Sequence, residues 1–460
     1  MGTITATLSE WAAKLRFEDL TSEAVDAAKR FLYDSVGCAL GGYRHDDCRI
    51  LLDYIQEMGG RPQCTLIGSG RKSSAYHAAL YNALAIRAMD FNDIYWKSDP
   101  CHPSDIIPAA TSICEWKGLS GQELIVGIVL GHEMEMRFCE AGDPGIREKG
   151  WHHATLTAFV SPMVAGRMLG LSPGQIQDAI GIAASHSCTF GAVTAGKLTM
   201  MKNTVDPMAT QAGVRAALLA QKGYGGPEHV VDGKEGLTHC MGPAWHLERL
   251  TDGLGERFKI VDCGMKAFPI EALTHSPLTA TLRLVEQHDI KPEQVAKITV
   301  ETIARAADIL SDPAKYRPTT RETADHSMPY CLAVAIADRQ VTPRQFTLER
   351  INDPALIPLM DTIEAVGNDE FEAMFPDCQP SRVTITTTGG QSHSARVDVP
   401  KGDYRDPMTV DEIQTKFEAL ADGAFSRDEC HRIREKILSL ERIDNVAELM
   451  ALLVPESQSG

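Results

Sequence analysis

Residues 120–136 read SGQELIVGIVLGHEMEM, an apolar stretch in which glycine recurs and which opens with Ser120 and Glu123. A Ser or Thr followed three positions later by Glu or Gln satisfies free backbone N–H groups at the start of a helix. The same signal, Ser172 with Gln175, opens a second stretch of this kind. Because such helices carry small residues on several faces, we predict that they are buried on more than one side and form a compact bundle.

The sequence pattern changes near residue 266. Residues 295–303, VAKITVETI, alternate as a half-buried strand does, and residues 381–400 predict two strands joined at a Gly-Gly turn. Helical signals then return, with Thr409 and Glu412 in capping positions. We therefore predict a mainly α protein with two domains, a large all-helical domain of residues 1–265 plus about 405–455 and a smaller α+β domain of residues 266–404.

Length, composition and charge exclude several classes of protein. The 460 residues exceed the length at which one hydrophobic core usually stops growing, and 43% hydrophobic with 23% charged residues is typical of a folded globular protein. The formal net charge of −17 repels phosphate backbones and anionic lipid headgroups, so we expect neither a nucleic acid partner nor a membrane surface. An anionic substrate would need a local cluster of Lys, Arg and His.

The first residues, MGTITATLSEWAAKL, lack the basic start and the apolar segment of a secretion signal, and the chain has no uninterrupted apolar run long enough to span a membrane. The twelve cysteines include no pair separated by only two residues, which argues against an iron–sulfur cluster or a structural zinc site. These features predict a cytoplasmic protein without a metal centre.

One loop concentrates titratable side chains. Residues 87–105, RAMDFNDIYWKSDPCHPSD, contain Asp90, Asp93 and His102, and two prolines around His102 prevent a helix there. Loops of this kind often carry catalytic residues. The alternative is that Asp90 and Asp93 cap helices or turns and that His102 is a surface imidazole.

Further candidates lie downstream. His152 and His153 are adjacent at a helix start and should point in different directions, so at most one is expected to face a given site. Lys202 and Lys266 have mainly apolar neighbours, which indicates partly buried ammonium groups that need an anionic partner or ligand. These histidines and the carboxylates of the loop could ligate a metal, but no HExxH or CxxC unit fixes two ligands on one helical face. We expect no metal.

The motifs together resemble the MmgE/PrpD family. DFND, HPSD, GWHHATLTAF, MMKNTVDPMATQAG, CGMKAFPIEALTH and RETADHSMPY occur in order along nearly the whole chain. Members include 2-methylcitrate dehydratase, cis-aconitate decarboxylase and iminodisuccinate epimerase. The resemblance implies a large all-helical domain, a smaller α+β lid, a homodimer, and an active site between the domains that uses neither a metal nor an organic cofactor.

The resemblance also implies which residues form the site. Those carried over as catalytic are Asp90, His102, His152, Lys202 and Lys266. Those carried over as substrate-binding are Asp93, Glu271, His275, His326 and Tyr330. Two positions depart from the decarboxylases, since Ile94 stands where they tend to have Thr and Glu271 where they tend to have His. Glu271 and the HPSD and DHS patterns are more similar to the dehydratases.

The chemistry shared by these members develops negative charge next to a carboxylate, which requires a cationic pocket, a base and an acid. We expect a lyase that dehydrates a hydroxytricarboxylate, 2-methylcitrate above all, to the cis-aconitate analogue. Asp90 or His152 would be the base, His102 the acid, and the two lysines the carboxylate clamps, although the base and acid are interchangeable on the sequence alone. The alternatives are decarboxylation of cis-aconitate, epimerisation of a dicarboxylate such as iminodisuccinate, and a binding protein without turnover.

Overall fold

The chain divides into two compact units. The computed structural model describes residues 2–195, 198–242 and 244–456. Of these, the first unit contains residues 2–195, 200–242, 244–263 and 409–456, and the second contains residues 198–199 and 264–408. The last segment of the chain therefore belongs to the first unit. Within the described residues, none of the helices is long and apolar enough to cross a membrane.

Helices dominate both units, which confirms the prediction of a mainly α protein. Their bounds are α1 Ile4–Lys14, α2 Ser22–Gly42, α3 Asp46–Met58, α4 Ala75–Arg87, α5 Ile107–Lys117, α6 Gly121–Ala141, α7 Ala154–Met168, α8 Pro173–Ala184, α9 Met201–Gln221, α10 Leu237–Cys240, α11 Glu248–Thr251, α12 His275–His288, α13 Ala304–Leu310, α14 Arg321–Ala324, α15 Met328–Asp338, α16 Leu348–Ile351, α17 Ile357–Met360, α18 Asp369–Met374, α19 Val410–Ala421, α20 Arg427–Leu438 and α21 Ala447–Ala451. The strands are β1 Cys64–Leu66, β2 Arg71–Ser73, β3 Asp93–Trp96, β4 Pro100–Cys101, β5 Gly264–Met265, β6 Val295–Thr302, β7 Ile363–Gly367, β8 Ser381–Thr387 and β9 Ser392–Val397.

The capping signals mark true helix starts. Ser172 and Gln175 form a capping box at α8, where the Ser172 hydroxyl accepts a hydrogen bond from the Gln175 N–H at 3.3 Å. Thr409 and Glu412 form another at α19, and the hydroxyl of Ser120 caps α6. These side chains satisfy N–H groups that have no partner inside the helix, which is why the three helices begin where the sequence predicts.

The second unit contains a four-stranded sheet in the order β7-β6-β8-β9. β6 pairs with β7 in parallel and with β8 antiparallel, and β8 pairs with β9 antiparallel. Ile298 and Val300 of β6 lie opposite Ile385 and Val383 of β8, and all four side chains are buried. The alternation in the sequence therefore corresponds to one buried face of this sheet.

The first unit also contains two short hairpins that the sequence pattern does not indicate. β1 pairs with β2 antiparallel, and the turn between them includes Gly68 and Gly70, whose φ angles of 75° and 67° favour glycine. β3 pairs with β4 antiparallel, which places His102 immediately after β4. Strands of two to four residues are too short to produce a recognisable alternation.

Two helices that begin near the candidate residues, α7 and α9, approach each other closely. A Cβ atom at Gly213 of α9 would lie 2.2 Å from the Ser161 Oγ and 2.6 Å from the Pro162 nitrogen of α7. The Ser161 hydroxyl donates to the Ala209 carbonyl of α9 at 2.9 Å. The missing side chain at position 213 therefore sets the spacing between the two helices.

We predict that Gly213→Ala lowers the melting temperature. Overpacking a buried contact costs about 1–3 kcal/mol, which exceeds the roughly 1 kcal/mol that Ala gains over Gly inside a helix. Gly174→Ala in α8 is the matched control, because no atom lies within 4 Å of its Cβ position. Its melting temperature should stay the same or rise. Equal melting temperatures for the two variants, measured by circular dichroism, would contradict the close approach.

Candidate functional site

Asp90 is a buried carboxylate just beyond the end of α4. Its φ of 49° lies in the left-handed region, which is uncommon for residues other than glycine. Its Oδ1 pairs with Arg87 Nη1, and its Oδ2 lies 2.9 Å from Lys202 Nζ in α9. All three side chains are buried. The two cations offset the large cost of removing the Asp90 carboxylate from water.

Arg87 connects Asp90 to His102. Its Nη2 lies 3.1 Å from His102 Nε2, and its Nε lies 3.5 Å from Asp105 Oδ2. Because a guanidinium group only donates hydrogen bonds, His102 Nε2 is the acceptor. The other ring nitrogen, Nδ1, lies 2.6 Å from the backbone oxygen of Asp93, which only accepts, so Nδ1 carries the proton. His102 is therefore a neutral imidazole with its lone pair at Nε2.

The Asp93 carboxylate holds together the loop that carries His102. It is fully buried and accepts hydrogen bonds from the Ser104 N–H at 2.8 Å and from the Ser104 hydroxyl at 2.6 Å. Its Oδ2 also lies 3.3 Å from His132 Nε2 of α6. A substrate would have to break these contacts to reach the Asp93 carboxylate. The substrate-binding role that the resemblance implies for Asp93 stays a prediction.

His152 has the opposite hydrogen-bonding polarity to His102, which means that the protonated and unprotonated ring nitrogens are interchanged. The N–H of Ala154 donates to His152 Nδ1 at 3.2 Å, so in the neutral ring the proton lies on Nε2. Burial lowers the pKa of His152 well below its ordinary value, and the charges of His153 and Arg87 act in the same direction. The ring is therefore neutral at neutral pH. His102 presents a proton acceptor at Nε2, whereas His152 presents a proton donor at Nε2.

His153 belongs to the same cluster. Its ring centre lies 3.9 Å from that of His152 and 5.5 Å from that of His102, and its Nε2 lies 3.2 Å from Asp206 Oδ1. Burial favours the uncharged form of Asp206, but His153 and its neighbours outweigh burial and hold the pKa of Asp206 below its usual range. The prediction that at most one of the adjacent histidines faces a given site is wrong. Both precede the first residue of α7, so helical geometry does not separate them.

The charges in this cluster are largely paired. Lys202, which is expected to hold an anionic substrate, contacts Asp90, and so does Arg87. Burial raises the pKa of Glu135 to about 8 and raises that of Asp105 well above its ordinary value. Protonation of these carboxyl groups reduces the negative charge around the two cations. The site is therefore less acidic than the number of its carboxyl groups indicates.

The remaining candidates lie in the second unit. Lys266 and His275 are buried, and the His275 ring lies 5.7 Å from that of Phe268. The Glu271 carboxylate accepts a hydrogen bond from the Leu273 N–H at 2.7 Å and so caps a short 3-10 turn. Lys266 is only 2% exposed, which agrees with its apolar sequence neighbours.

His326 and Tyr330 flank the start of α15. The Nδ1 of His326 contacts the carboxylate of Asp325. Tyr330 is fully buried, and its hydroxyl donates to the backbone oxygen of Gln345. This hydrogen bond satisfies the hydroxyl inside the unit, and the substrate-binding role of Tyr330 stays a prediction.

Two groups of buried side chains bring three possible metal-ligating atoms within 4.8 Å of one another. These groups are Asp93, His132 and Cys263, and His152, His153 and Asp206. In the first group the Asp93 carboxylate already accepts the Ser104 N–H. In the second, His152 Nδ1 already accepts the N–H of Ala154. The absence of a metal cofactor stays a prediction from the sequence.

Sequence reasoning missed several members of the cluster, namely Arg87, His132, Glu135 and Asp206. Two of them carry a local signal, because side chains three or four residues apart on a helix are neighbours. Asp206 follows Lys202 by four residues, and Arg87 precedes Asp90 by three. The polar residues of α6 carry a weaker sequence signal, since a polar group in an apolar helix needs a partner.

Comparisons with known proteins cover nearly the whole chain. A model of the MmgE/PrpD N-terminal domain matches residues 6–249, and one of the MmgE/PrpD C-terminal domain matches residues 268–442. A cis-aconitate decarboxylase-like protein of Aspergillus oryzae is 28% identical over 99% of this chain and 98% of its own length. A cis-aconitate decarboxylase of Aspergillus terreus is 26% identical over 98% of this chain and 96% of its own length. A 2-methylcitrate dehydratase of Salmonella typhimurium is 23% identical over 94% of this chain and 93% of its own length.

We predict that Glu135→Gln stabilises the protein more at high pH than at low pH. Burial raises the pKa of Glu135 from 4.5 to about 8, so the folded protein binds a proton that the unfolded chain releases. The stability that this proton contributes is complete below the unfolded pKa and is lost as the pH rises through the folded pKa. Gln has no proton to lose, and it keeps an acceptor for the Thr157 hydroxyl, which donates to Glu135 at 2.7 Å.

Urea denaturation at pH 6 and pH 8 measures this effect. The free energy of unfolding of the variant, minus that of the wild type, should increase by about 2 kcal/mol between the two pH values. Glu57→Gln, at an exposed position of α3, is the matched control and should show no such increase. Parallel pH dependences for the two variants would mean that Glu135 does not titrate in this range.

Proposed function

Since the chain belongs to the MmgE/PrpD family, we propose that it is a cofactor-independent lyase that removes water from a hydroxytricarboxylate. The preferred reaction is conversion of 2-methylcitrate to 2-methyl-cis-aconitate. The observation that carries the proposal is the opposite polarity of two imidazoles, with an acceptor at His102 Nε2 and a donor at His152 Nε2. The cytoplasmic location and the homodimer stay predictions from the sequence.

Elimination of water makes two demands on a site. One group must accept the proton next to a substrate carboxylate, and another must donate a proton to the departing hydroxyl. Decarboxylation of cis-aconitate makes only one of these demands, because a proton replaces the carbon dioxide that leaves. A site that presents both an acceptor and a donor is therefore better matched to elimination. This assignment makes His102 the base, the reverse of the role that the sequence suggested for it.

The carboxylates of a substrate would compete with carboxylates of the protein for its buried cations. We assign Lys202 and Lys266 to these carboxylates, because charge-assisted hydrogen bonds to ammonium groups are strong. Lys202 would exchange its contact with Asp90 for one with the substrate. Arg87 would turn from His102 to the substrate in the same way, and this movement frees the lone pair of His102.

The protons balance over one turnover. The substrate proton moves to His102 Nε2, and the C–O bond breaks as the electron pair left behind forms the double bond. The departing hydroxide, a strong base, takes the Nε2 proton of His152 and leaves as water. His102 must then return one proton to His152. The ring of His153 contacts both of the other rings and lies on this route.

Decarboxylation is the second candidate. It is favoured by the names of the relatives that are 28% and 26% identical, against 23% for the dehydratase, although these identities are too similar to decide. Epimerisation of a dicarboxylate also needs an acceptor and a donor, so the same pair of imidazoles would serve it. The substrate therefore has to be identified by assay.

We predict that the purified protein converts 2-methylcitrate to a conjugated product without releasing carbon dioxide. The panel is 2-methylcitrate, citrate, cis-aconitate and iminodisuccinate, followed by ultraviolet absorbance, carbon dioxide release and chiral chromatography. Addition of a chelator should leave the rate unchanged. Carbon dioxide released from cis-aconitate, with no turnover of either hydroxytricarboxylate, would instead identify a decarboxylase. Loss of activity that one metal restores would contradict the cofactor-independent reaction.

We predict that His102→Asn and His152→Gln fail at different steps. Asn keeps a donor for the Asp93 carbonyl but has no group at Nε2, and Gln keeps a donor but cannot transfer a proton. Each variant should lower kcat by about 10²–10⁴, with KM within about twofold of the wild type. In deuterated water, His152→Gln should still exchange the substrate proton, because its base is intact. His102→Asn should not exchange it. The reverse pattern would interchange the base and the acid.

A further inference from the structure

The C-terminal segment of the chain supplies a buried cation that contacts Phe91, the residue after Asp90. Lys416 lies in α19, and its side chain is only 5% exposed. Its Nζ lies 2.7 Å from Asp34 Oδ1 of α2 and donates to the backbone oxygen of Phe91 at 2.6 Å. It also lies 3.9 Å from the centre of the Phe91 ring. One ammonium group therefore joins three segments that are far apart in the sequence.

Packing between α19 and α2 fixes the position of this ammonium group. The Phe417 ring stacks on that of Tyr33 with their centres 4.6 Å apart. A Cβ atom at Gly37 would lie 2.9 Å from Phe417 Cδ2, so the two helices meet with no space between them. Lys416 is the residue before Phe417. Its backbone therefore cannot shift without disturbing this contact.

The Phe91 carbonyl belongs to the part of the loop where the backbone is strained. The preceding residue, Asp90, has a φ of 49°, and such a conformation persists only where the surroundings hold it in place. On the other side, Asn92 donates to the Ser104 hydroxyl at 2.9 Å. The bond from Lys416 thus holds Phe91, which lies between a residue that pairs with Arg87 and one that anchors the segment after His102.

We propose that Lys416 is a positioning residue for the reaction, and that it acts through its hydrogen bond to the Phe91 carbonyl. Its ion pair with Asp34 has a separate role, which is to balance the buried charge. The carbonyl bond sets the backbone at Asp90, and through Arg87 it sets the orientation of His102. The activity readout rests on the proposed function, whereas a second readout on the loop itself does not.

The ion pair of Lys416 with Asp34 and its hydrogen bond to the Phe91 carbonyl can be separated by mutation. Lys416→Met removes both of these, together with the contact to the Phe91 ring, and leaves the Asp34 carboxylate buried without this cation. Asp34→Asn removes the ion pair but keeps the donor to the Phe91 carbonyl. The double variant Asp34→Asn/Lys416→Met removes both charges, and replacing both members of a buried pair is often nearly neutral for stability. Lys436→Met in α20, whose ammonium pairs with Glu448 at the surface, is the matched control.

We expect kcat to depend on the hydrogen bond to the Phe91 carbonyl, and the melting temperature to depend on the balance of charge between Lys416 and Asp34. Lys416→Met and the double variant should lose at least about tenfold in kcat, with KM changed by less than about threefold. Asp34→Asn and the Lys436 control should keep kcat within about twofold of the wild type. The melting temperature should fall in Lys416→Met and in Asp34→Asn, and it should recover in the double variant. If Lys416→Met does not fold, the double variant carries the test.

Hydrogen exchange of residues 88–96, followed by mass spectrometry, provides the readout that needs no substrate. Exchange should be faster in Lys416→Met and in the double variant, and unchanged in Asp34→Asn. If no compound of the panel is turned over, the proposed function fails while this pattern still supports the positioning role. Unchanged exchange in the double variant would overturn the proposal. So would recovery of both kcat and stability in the double variant, because charge balance would then explain every effect.

Discussion

The buried Asp90 carboxylate, held between Arg87 and Lys202, is the contact on which the rest of the candidate site depends. Arg87 comes from α4 and Lys202 from α9, so this carboxylate joins two helices that are distant in the sequence. Because Arg87 also donates to His102, the imidazole takes its position from the same group. Removing the Asp90 carboxylate would take from both cations the partner that they share, and breaking a buried ion pair in this way is strongly destabilising. The residues therefore act as one unit.

Backbone groups, rather than other side chains, give the two imidazoles their opposite polarity. The Asp93 carbonyl requires a proton on Nδ1 of His102, and the N–H of Ala154 excludes a proton from Nδ1 of His152. A carbonyl or an amide cannot change its hydrogen-bonding character with pH, so each ring keeps this tautomer wherever it is neutral. The backbone of the loop and the start of α7 are thus part of the proposed chemistry.

The sequence predicts those features that depend on neighbouring residues. Capping side chains identify the starts of α6, α8 and α19, and alternation identifies β6 and β8, because both signals act within one element. The motif residues Asp90, His102, His152 and Lys202 are likewise found without a structure, and the structure brings Asp90 into contact with Lys202. The partners of each group are not found in this way. Whether His102 accepts or donates depends on contacts that only the tertiary structure provides, which is why the sequence leaves base and acid interchangeable.

The pairing of Lys202 and Arg87 with Asp90 also bears on how an acidic protein would bind a polycarboxylate. A pocket with unpaired buried cations would carry a large desolvation penalty in the absence of substrate. Asp90 removes that penalty by occupying Lys202 and Arg87 beforehand. The substrate then exchanges one carboxylate contact for another, so it gains only the difference between the two. Such an exchange limits the affinity of the site for the substrate in its ground state. The cations can then interact more strongly with the negative charge that develops in the transition state, and this difference raises the rate.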